Sequence, residues 1–159
     1  MIEVEVEAPA WTAALPDAVD VATRAAAATL RRCLPEGQDD DVAVLLADDE
    51  AVADLNQRFR GKAGPTNVLS FPAAQSARPH LGDVALAYGV CAAEAQAQGK
   101  SLAHHLMHLV AHGVLHLVGY DHQTDAEAES MEALERQLLS ELGVQDPYAG
   151  PPVEGAHAR

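Results

Sequence analysis

Residues 101–122 read SLAHHLMHLVAHGVLHLVGYDH and contain six of the eight histidines of the chain. The composition of residues 101–118 predicts a helix. Gly119 predicts the end of that helix, because glycine adopts backbone conformations that bulkier residues avoid. The apolar run 106–118 is too short to cross a membrane and is interrupted by histidines. We therefore expect a helix of a water-soluble fold rather than a membrane span.

Outward from this helix, the chain alternates between short apolar strands and longer helical stretches. Thr124 and Glu127 form a capping box that predicts the start of a last helix. Strands and helices mix around one small sheet, so the expected class is α+β or mixed α/β. The predicted strands are 2–7, 42–47, 66–71 and 82–88, the predicted helices are 17–34, 49–60, 89–98, 101–118 and 124–142, and a loop is predicted over 73–81.

The composition of the 159-residue chain is globular and strongly acidic. Its formal net charge is −14 and only 4% of its residues are aromatic. Such a surface repels polyanions, and so few aromatic residues argue against a base-stacking platform. The acidic N-terminus lacks the basic start and apolar run of a signal peptide. We expect a cytoplasmic protein, in which Cys33 and Cys91 are small buried apolar groups.

No internal repeat or linker divides the chain. Residues 146–159 contain three prolines and two glycines and have little to bury. The predicted organisation is one domain over residues 1–148, followed by a disordered tail over 149–159.

His112, His116 and His122 form the candidate metal site. His112 and His116 are four residues apart, so they face the same way on the predicted helix. The turn at Gly119 can return His122 to the same point. Three imidazoles with an open fourth position are typical of a catalytic zinc ion, although imidazole also suits nickel and copper. We predict one Zn²⁺ per chain at these three residues.

His108 lies on the same predicted helix. With a rise of about 1.5 Å per residue, His108 and His116 are about 12 Å apart along the axis, too far to share an ion. His108 with His112 is sterically possible, but only the pair His112 and His116 has a glycine-hinged histidine just downstream. His108 is then a residue behind the ligands, a substrate-facing residue or a solvated one.

The spacing of the three histidines matches that of the metzincin peptidases. Those enzymes place a glutamate general base directly after the first histidine, where this chain has Gly113. Glycine cannot accept a proton. No Met-turn follows either, because Met131 lies inside the predicted last helix. The pattern therefore argues against a metalloprotease.

A local basic cluster stands out against the acidic background. Arg58, Arg60 and Lys62 lie within five positions. They are either a solvated helix end or a phosphate-binding group, since the planar guanidinium of arginine pairs with two oxygens. The polar residues Asn67 and Ser70 follow in a strand that otherwise looks buried. Buried polar groups need partners, so these residues either satisfy one another or line a cleft.

Residues 112–122 resemble the HGxLHLxGYDH signature of the YbeY family of bacterial rRNA maturation factors, which are metal-dependent endoribonucleases. Residues 55–62 with 65–72 are similar to the family's second motif, and 81–84 to its third. His108 and residues 146–148 also match. Ala63 and Gly64 replace a charged pair that is common in the family.

The resemblance implies an α+β fold with a small mixed sheet of about four strands, about five helices and the metal site in a cleft. It implies a single-strand-specific endoribonuclease that matures the 3′ end of small-subunit rRNA and acts in ribosome quality control. His112, His116 and His122 correspond to the zinc ligands, and Arg60 to the family's required arginine, to which we assign the scissile phosphate. His108 is a candidate proton relay, and Arg58, Lys62, Asn67 and Ser70 are candidate substrate-binding residues.

Two alternatives remain open from the sequence. One is a non-catalytic, metal-binding ribosome-assembly factor, which the missing carboxylate base favours. The other is a hydrolase of a small phosphorylated or amide substrate. The expected partners are ribosomal RNA and the small ribosomal subunit or its proteins, with the acidic surface attracted to basic ribosomal proteins.

Overall fold

The computed structural model describes residues 1–38, 40–120 and 123–144. A four-stranded sheet has the order β1-β2-β4-β3, in which β1, β2 and β4 are parallel and β3 pairs antiparallel with β4. The expected α+β class with a small mixed sheet is confirmed. The strands are β1 (Ile2–Val6), β2 (Asp41–Ala47), β3 (Val68–Pro72) and β4 (His80–Ala87).

Six α-helices surround the sheet in the described residues, one more than the sequence predicted. The additional helix is α1, a single short turn around Trp11. The Trp11 ring is fully buried and its Nε1 donates to the carbonyl of Ala47 at 2.9 Å, a long-range contact that no local pattern reveals. The helices are α1 (Ala10–Ala14), α2 (Ala18–Cys33), α3 (Asp49–Arg60), α4 (Tyr88–Ala97), α5 (Leu102–Leu117) and α6 (Asp125–Glu141).

The two faces of the sheet are covered by different helices. Val42, Val44 and Leu46 of β2 point into the larger core, which α2 and α5 close. On the other face, Leu69 and Ala85 pack with residues of α3. This alternation follows from the two-residue period of a strand. Helix α6 lies outside this sandwich, against α5 and α2.

Helix α5 lies unusually close to the sheet at Gly113. A Cβ atom at this position would lie 2.7 Å from Cγ1 of Val84 and 3.2 Å from Oγ of Ser70. Only glycine therefore allows the helix to approach strands β3 and β4 this closely. This close packing of α5 against the sheet places the preceding residue, His112, beside β3.

Several predicted boundaries differ from the structure. Strand β3 begins at Val68 rather than 66, and Tyr88 begins α4 instead of ending a strand. The predicted loop over 73–81 contains a 3-10 turn, and β4 already begins at His80, because Asp41 of β2 pairs with it. The predicted capping box is present at Thr124 and Glu127. The expected tail over 149–159 lies outside the described residues, and the single-domain organisation stays a prediction.

Candidate metal centre and cleft

The Nε2 atoms of His112 and His116 are in contact, 3.1 Å apart. Two imidazole nitrogens bound to one tetrahedral zinc at about 2.0–2.1 Å lie about 3.3–3.4 Å apart. The observed separation is therefore close to that of two ligands of one ion.

The other ring nitrogens show which state of the two histidines fits this arrangement. Nδ1 of His112 lies 2.6 Å from Oε1 of Glu135, and Nδ1 of His116 lies 3.0 Å from the carbonyl oxygen of Tyr120. Carboxylate and carbonyl oxygens only accept hydrogen bonds, so both Nδ1 atoms carry hydrogen. In the neutral rings, both Nε2 atoms then present lone pairs to each other. A cation between them removes this repulsion, so the two residues fit a metal ion.

Glu135 of α6 is a residue of the site that was not predicted from the sequence. Its carboxylate is fully buried and accepts hydrogen bonds from His112 and from Nε2 of His108, the latter at 3.1 Å. Burial by itself raises the pKa of this carboxyl, but the hydrogen bonds from the two histidines outweigh burial and lower the pKa from 4.5 to about 2. A carboxylate on the far nitrogen of a ligand histidine fixes the ring and raises its basicity.

The sequence did contain a signal for Glu135. It lies four residues after Met131 and three before Leu138, so it occupies the apolar stripe of an amphipathic helix. A charged residue at such a position is rarely buried without a partner. That partner is on α5, and the sequence does not reveal this pairing.

His108 is only 14% exposed at its side chain and bonds to Glu135. This burial excludes the alternative that the His108 side chain is solvated. Its contact with Glu135 places it beside the carboxylate that orients His112, while the described lining of the cleft does not include it. The expected proton relay by His108 stays a prediction.

A cleft of about 520 Å³ opens over the two histidines. It brings together Arg60 from the end of α3, Asn67 just before β3, and Ser70 within β3. Asp48 caps the N-terminus of α3, where its side chain accepts a hydrogen bond from the backbone N–H of Ala51. The helix ends at Arg60, and the next residue, Gly61, has a φ of +66°. The described lining consists of Arg60, Asn67, Val68, Ser70, Pro72, His112, His116, Gly119, Tyr120 and Gln123.

The two polar residues of the β3 region are held by neighbouring elements and not by each other. Ser70 donates to the carbonyl of Gly113 at 2.9 Å. Asn67 donates to Glu94 at 3.1 Å and its side-chain oxygen accepts from the amide of Val68 at 2.7 Å. Both residues line the cleft, with these groups already bonded to protein.

Arg58 and Lys62 do not share the position of Arg60. Both are exposed, and neither is part of the described lining of the cleft. Arg58 pairs with Asp54 at 3.3 Å and lies over the ring of Phe59. Substrate binding by these two residues stays a prediction.

His122, the third expected ligand, lies outside the described residues, as does Asp121. In residues 1–38, 40–120 and 123–144, no group of three or more His, Cys, Asp or Glu side chains is arranged to hold a metal ion. The described part of the chain thus provides two of the three expected ligands. None of its helices has the length and apolar character needed to traverse a bilayer.

A cleft that combines paired imidazoles with an arginine is typical of hydrolases that act on phosphate esters. The family profile described as Endoribonuclease YbeY matches residues 5–143, and the chain belongs to this family. The endoribonuclease YbeY of Paramagnetospirillum magneticum is 52% identical over 92% of this chain and 94% of its own length. That of Maricaulis maris is 56% identical over 79% of each chain.

A solved structure shows the same fold at lower identity. The solution structure of TM1509 from Thermotoga maritima is 22% identical, has a TM-score of 0.55, and covers 99% of this chain and 100% of its own. Family membership supports a nuclease activity, with RNA as the class of substrate.

Proposed function

We propose that this chain is a zinc-dependent, single-strand-specific endoribonuclease that matures the 3′ end of small-subunit rRNA and acts in ribosome quality control in the cytoplasm. One Zn²⁺ per chain would be held by His112, His116 and His122. The observation that carries the proposal is the convergence of the Nε2 atoms of His112 and His116, 3.1 Å apart, at a cleft that Arg60 also lines.

Other described residues bind the phosphate or hold the two histidine rings in place. Arg60 binds the scissile phosphate and stabilises the negative charge that develops on it in the transition state. Glu135 holds the ring of His112, and the carbonyl of Tyr120 holds that of His116. These contacts fix the two ligands before substrate arrives, so little reorganisation is needed during the reaction.

Nucleophile activation does not rely on a glutamate beside the first histidine. Position 113 faces Val84 and Ser70 of the sheet, where no side chain fits. The described lining of the cleft contains no Asp or Glu. A bound zinc ion would act as a Lewis acid that lowers the pKa of water to about 7, so a carboxylate base would not be needed.

The acidic surface is compatible with a ribosomal substrate. A net charge of −14 opposes direct approach to rRNA but favours contact with basic ribosomal proteins. We propose that such a protein of the small subunit brings the chain to its RNA. High salt should then release the chain from the subunit, because screening weakens contacts between exposed charges.

Cleavage of a defined single-stranded oligoribonucleotide tests the activity. The wild-type protein, its chelated form and His116→Ala are compared, with bound zinc measured in each. Cleavage that is lost on chelation and in His116→Ala supports the proposal. Equal residual cleavage in all three samples would identify a contaminating nuclease and leave the non-catalytic assembly factor as the function.

A further inference from the structure

A second cavity adjoins the cleft on the opposite face of the sheet. We call it the aromatic groove. It has a volume of about 670 Å³, which is within the range of ligand pockets. Arg60, Ser70 and Pro72 line both cavities. The aromatic groove is bounded by these three residues and by Leu45, Leu55, Phe59, Phe71, Asp83 and Ala85.

Edge strand β3 separates the two cavities. Ser70 bonds to Gly113 on the α5 face, whereas Leu69 and Phe71 pack on the α3 face. In the described sheet, β3 pairs only with β4, so its other edge has no strand partner. Arg60, Ser70 and Pro72 line both cavities and mark a route across this edge from the cleft to the groove, with Arg60 at the boundary.

The exposed aromatic residues lie along this route. Among the five Phe, Tyr and Trp residues that the structure describes, only Phe59 and Tyr120 are exposed, by 63% and 38%. Tyr120 lines the cleft and Phe59 lines the groove. The few aromatic residues of the chain argued against a stacking platform, but their placement indicates a local one.

The groove has the chemistry of a site for a base rather than for a phosphate. Phe59 packs edge-on against Phe71, with ring centroids 5.6 Å apart. The Asp83 carboxylate in the same groove would repel a phosphate, whereas the exocyclic amino group of a base can donate to it. Base–aromatic stacking is a recurrent way to bind single strands.

We propose that the aromatic groove binds one nucleobase of the RNA strand, stacked on Phe59, next to the phosphate that Arg60 holds. This inference rests on the proposed function and adds a binding subsite to it. An apolar protein segment is disfavoured as the occupant, because the groove shares Arg60, Ser70 and Pro72 with the cleft in which the RNA phosphate is proposed to bind.

The test uses the zinc-loaded protein and single-stranded 2′-O-methyl oligonucleotides with one 2-aminopurine at successive positions. Stacking on an aromatic ring quenches this fluorophore. We expect one position to be quenched by the wild-type protein, and Phe59→Ala and Phe59→Leu to abolish that quenching. Both variants should weaken binding about 5- to 150-fold, the range for loss of one base stack.

Phe59→Tyr keeps the ring and should keep both quenching and affinity. The control is Val19→Ala, which truncates an exposed apolar residue of α2. Thermal unfolding shows whether each variant folds, and Phe59→Leu retains apolar packing on Phe71 if Phe59→Ala does not fold. An oligonucleotide with an abasic residue at the quenched position should bind the wild type and Phe59→Leu with equal affinity.

The proposal is overturned if quenching and affinity persist in Phe59→Ala and Phe59→Leu. It is equally overturned if these variants bind the oligonucleotides normally but no longer bind a ribosomal protein, which would identify a protein-docking surface.

Cleavage of unmodified RNA distinguishes a failure of the proposed function from a failure of the proposed base subsite. If the wild-type protein quenches 2-aminopurine through Phe59 but does not cleave RNA, only the proposed function is contradicted. Normal cleavage with an unchanged KM in Phe59→Leu contradicts only the subsite.

Discussion

Glu135 accepts a hydrogen bond from Nδ1 of His112 at 2.6 Å, across the interface between α6 and α5. The same carboxylate accepts from His108 at 3.1 Å, and its side chain is fully buried. The last helix therefore does more than cover the core. It supplies the group that sets the tautomer of a proposed metal ligand.

Replacement of Glu135 by Gln should weaken zinc binding. The amide keeps the size of the side chain but removes the charge that favours a protonated Nδ1 on His112. Loss of such an outer contact typically lowers metal affinity about 10- to 100-fold. Competition with a fluorescent chelator measures the affinity, and Glu129→Gln on the exposed part of α6 is the control. Equal zinc affinity in both variants would exclude a role of Glu135 in holding the ligand.

The stability of the metal-free protein should fall in acid because of Glu135. Its pKa is about 2 in the fold and 4.5 as the ordinary value. A lowered pKa in the native state stabilises the fold fully above pH 4.5, and this stabilisation is lost as the pH falls from 4.5 towards 2. Urea unfolding at several pH values measures the effect. A wild-type profile in this range that matches that of Glu135→Gln would refute the assignment.

Arg60→Ala should reduce RNA cleavage by well over tenfold without changing zinc content. Arg60 lines the cleft with the two histidines but forms no part of the proposed metal site. Arg60→Lys should restore only part of the activity, because an ammonium group lacks the paired donors of a guanidinium. The matched control is Arg24→Ala, which removes a surface ion pair with Asp20. Undiminished cleavage by Arg60→Ala would remove this residue from the mechanism.

Gly113→Ala should destabilise the fold despite the higher helix propensity of alanine. The propensity gain is about 1 kcal/mol, whereas overpacking of a core costs about 1–3 kcal/mol. The clash with Val84 at 2.7 Å therefore outweighs the gain in helix propensity, and the free energy of unfolding should fall. Urea unfolding checks this prediction. Addition of Val84→Ala removes both methyl groups that the new Cβ meets, so the double variant should be more stable than the sum of the single effects predicts. If the destabilisation by the two substitutions is strictly additive, helix α5 shifts to make room for the new Cβ and the clash with Val84 does not form.

The sequence revealed the features that depend on neighbours along the chain. The period of the apolar residues and the prolines and glycines located four strands and five of the six helices. The four-residue spacing placed His112 and His116 on one face of α5, since a helix turns once in 3.6 residues. The capping box at Thr124 and Glu127 is equally local. Motif resemblance added Arg60 as a candidate, and the structure places it in the same cleft as the two histidines.

By itself, then, the sequence determined most of the helices and strands, the α+β class and the histidine pair, because helical and strand periods and cap chemistry act over a few residues. Only the tertiary structure decided that Glu135 contacts His112 and that Gly113 faces the sheet. It also decided that Arg60, and not Arg58, lines the cleft, and that Phe59 lines a second cavity across β3. These relationships join residues from separate elements. They depend on the order of strands in the sheet and on which helix faces pack together, and the chain minimises this packing energy only as a whole.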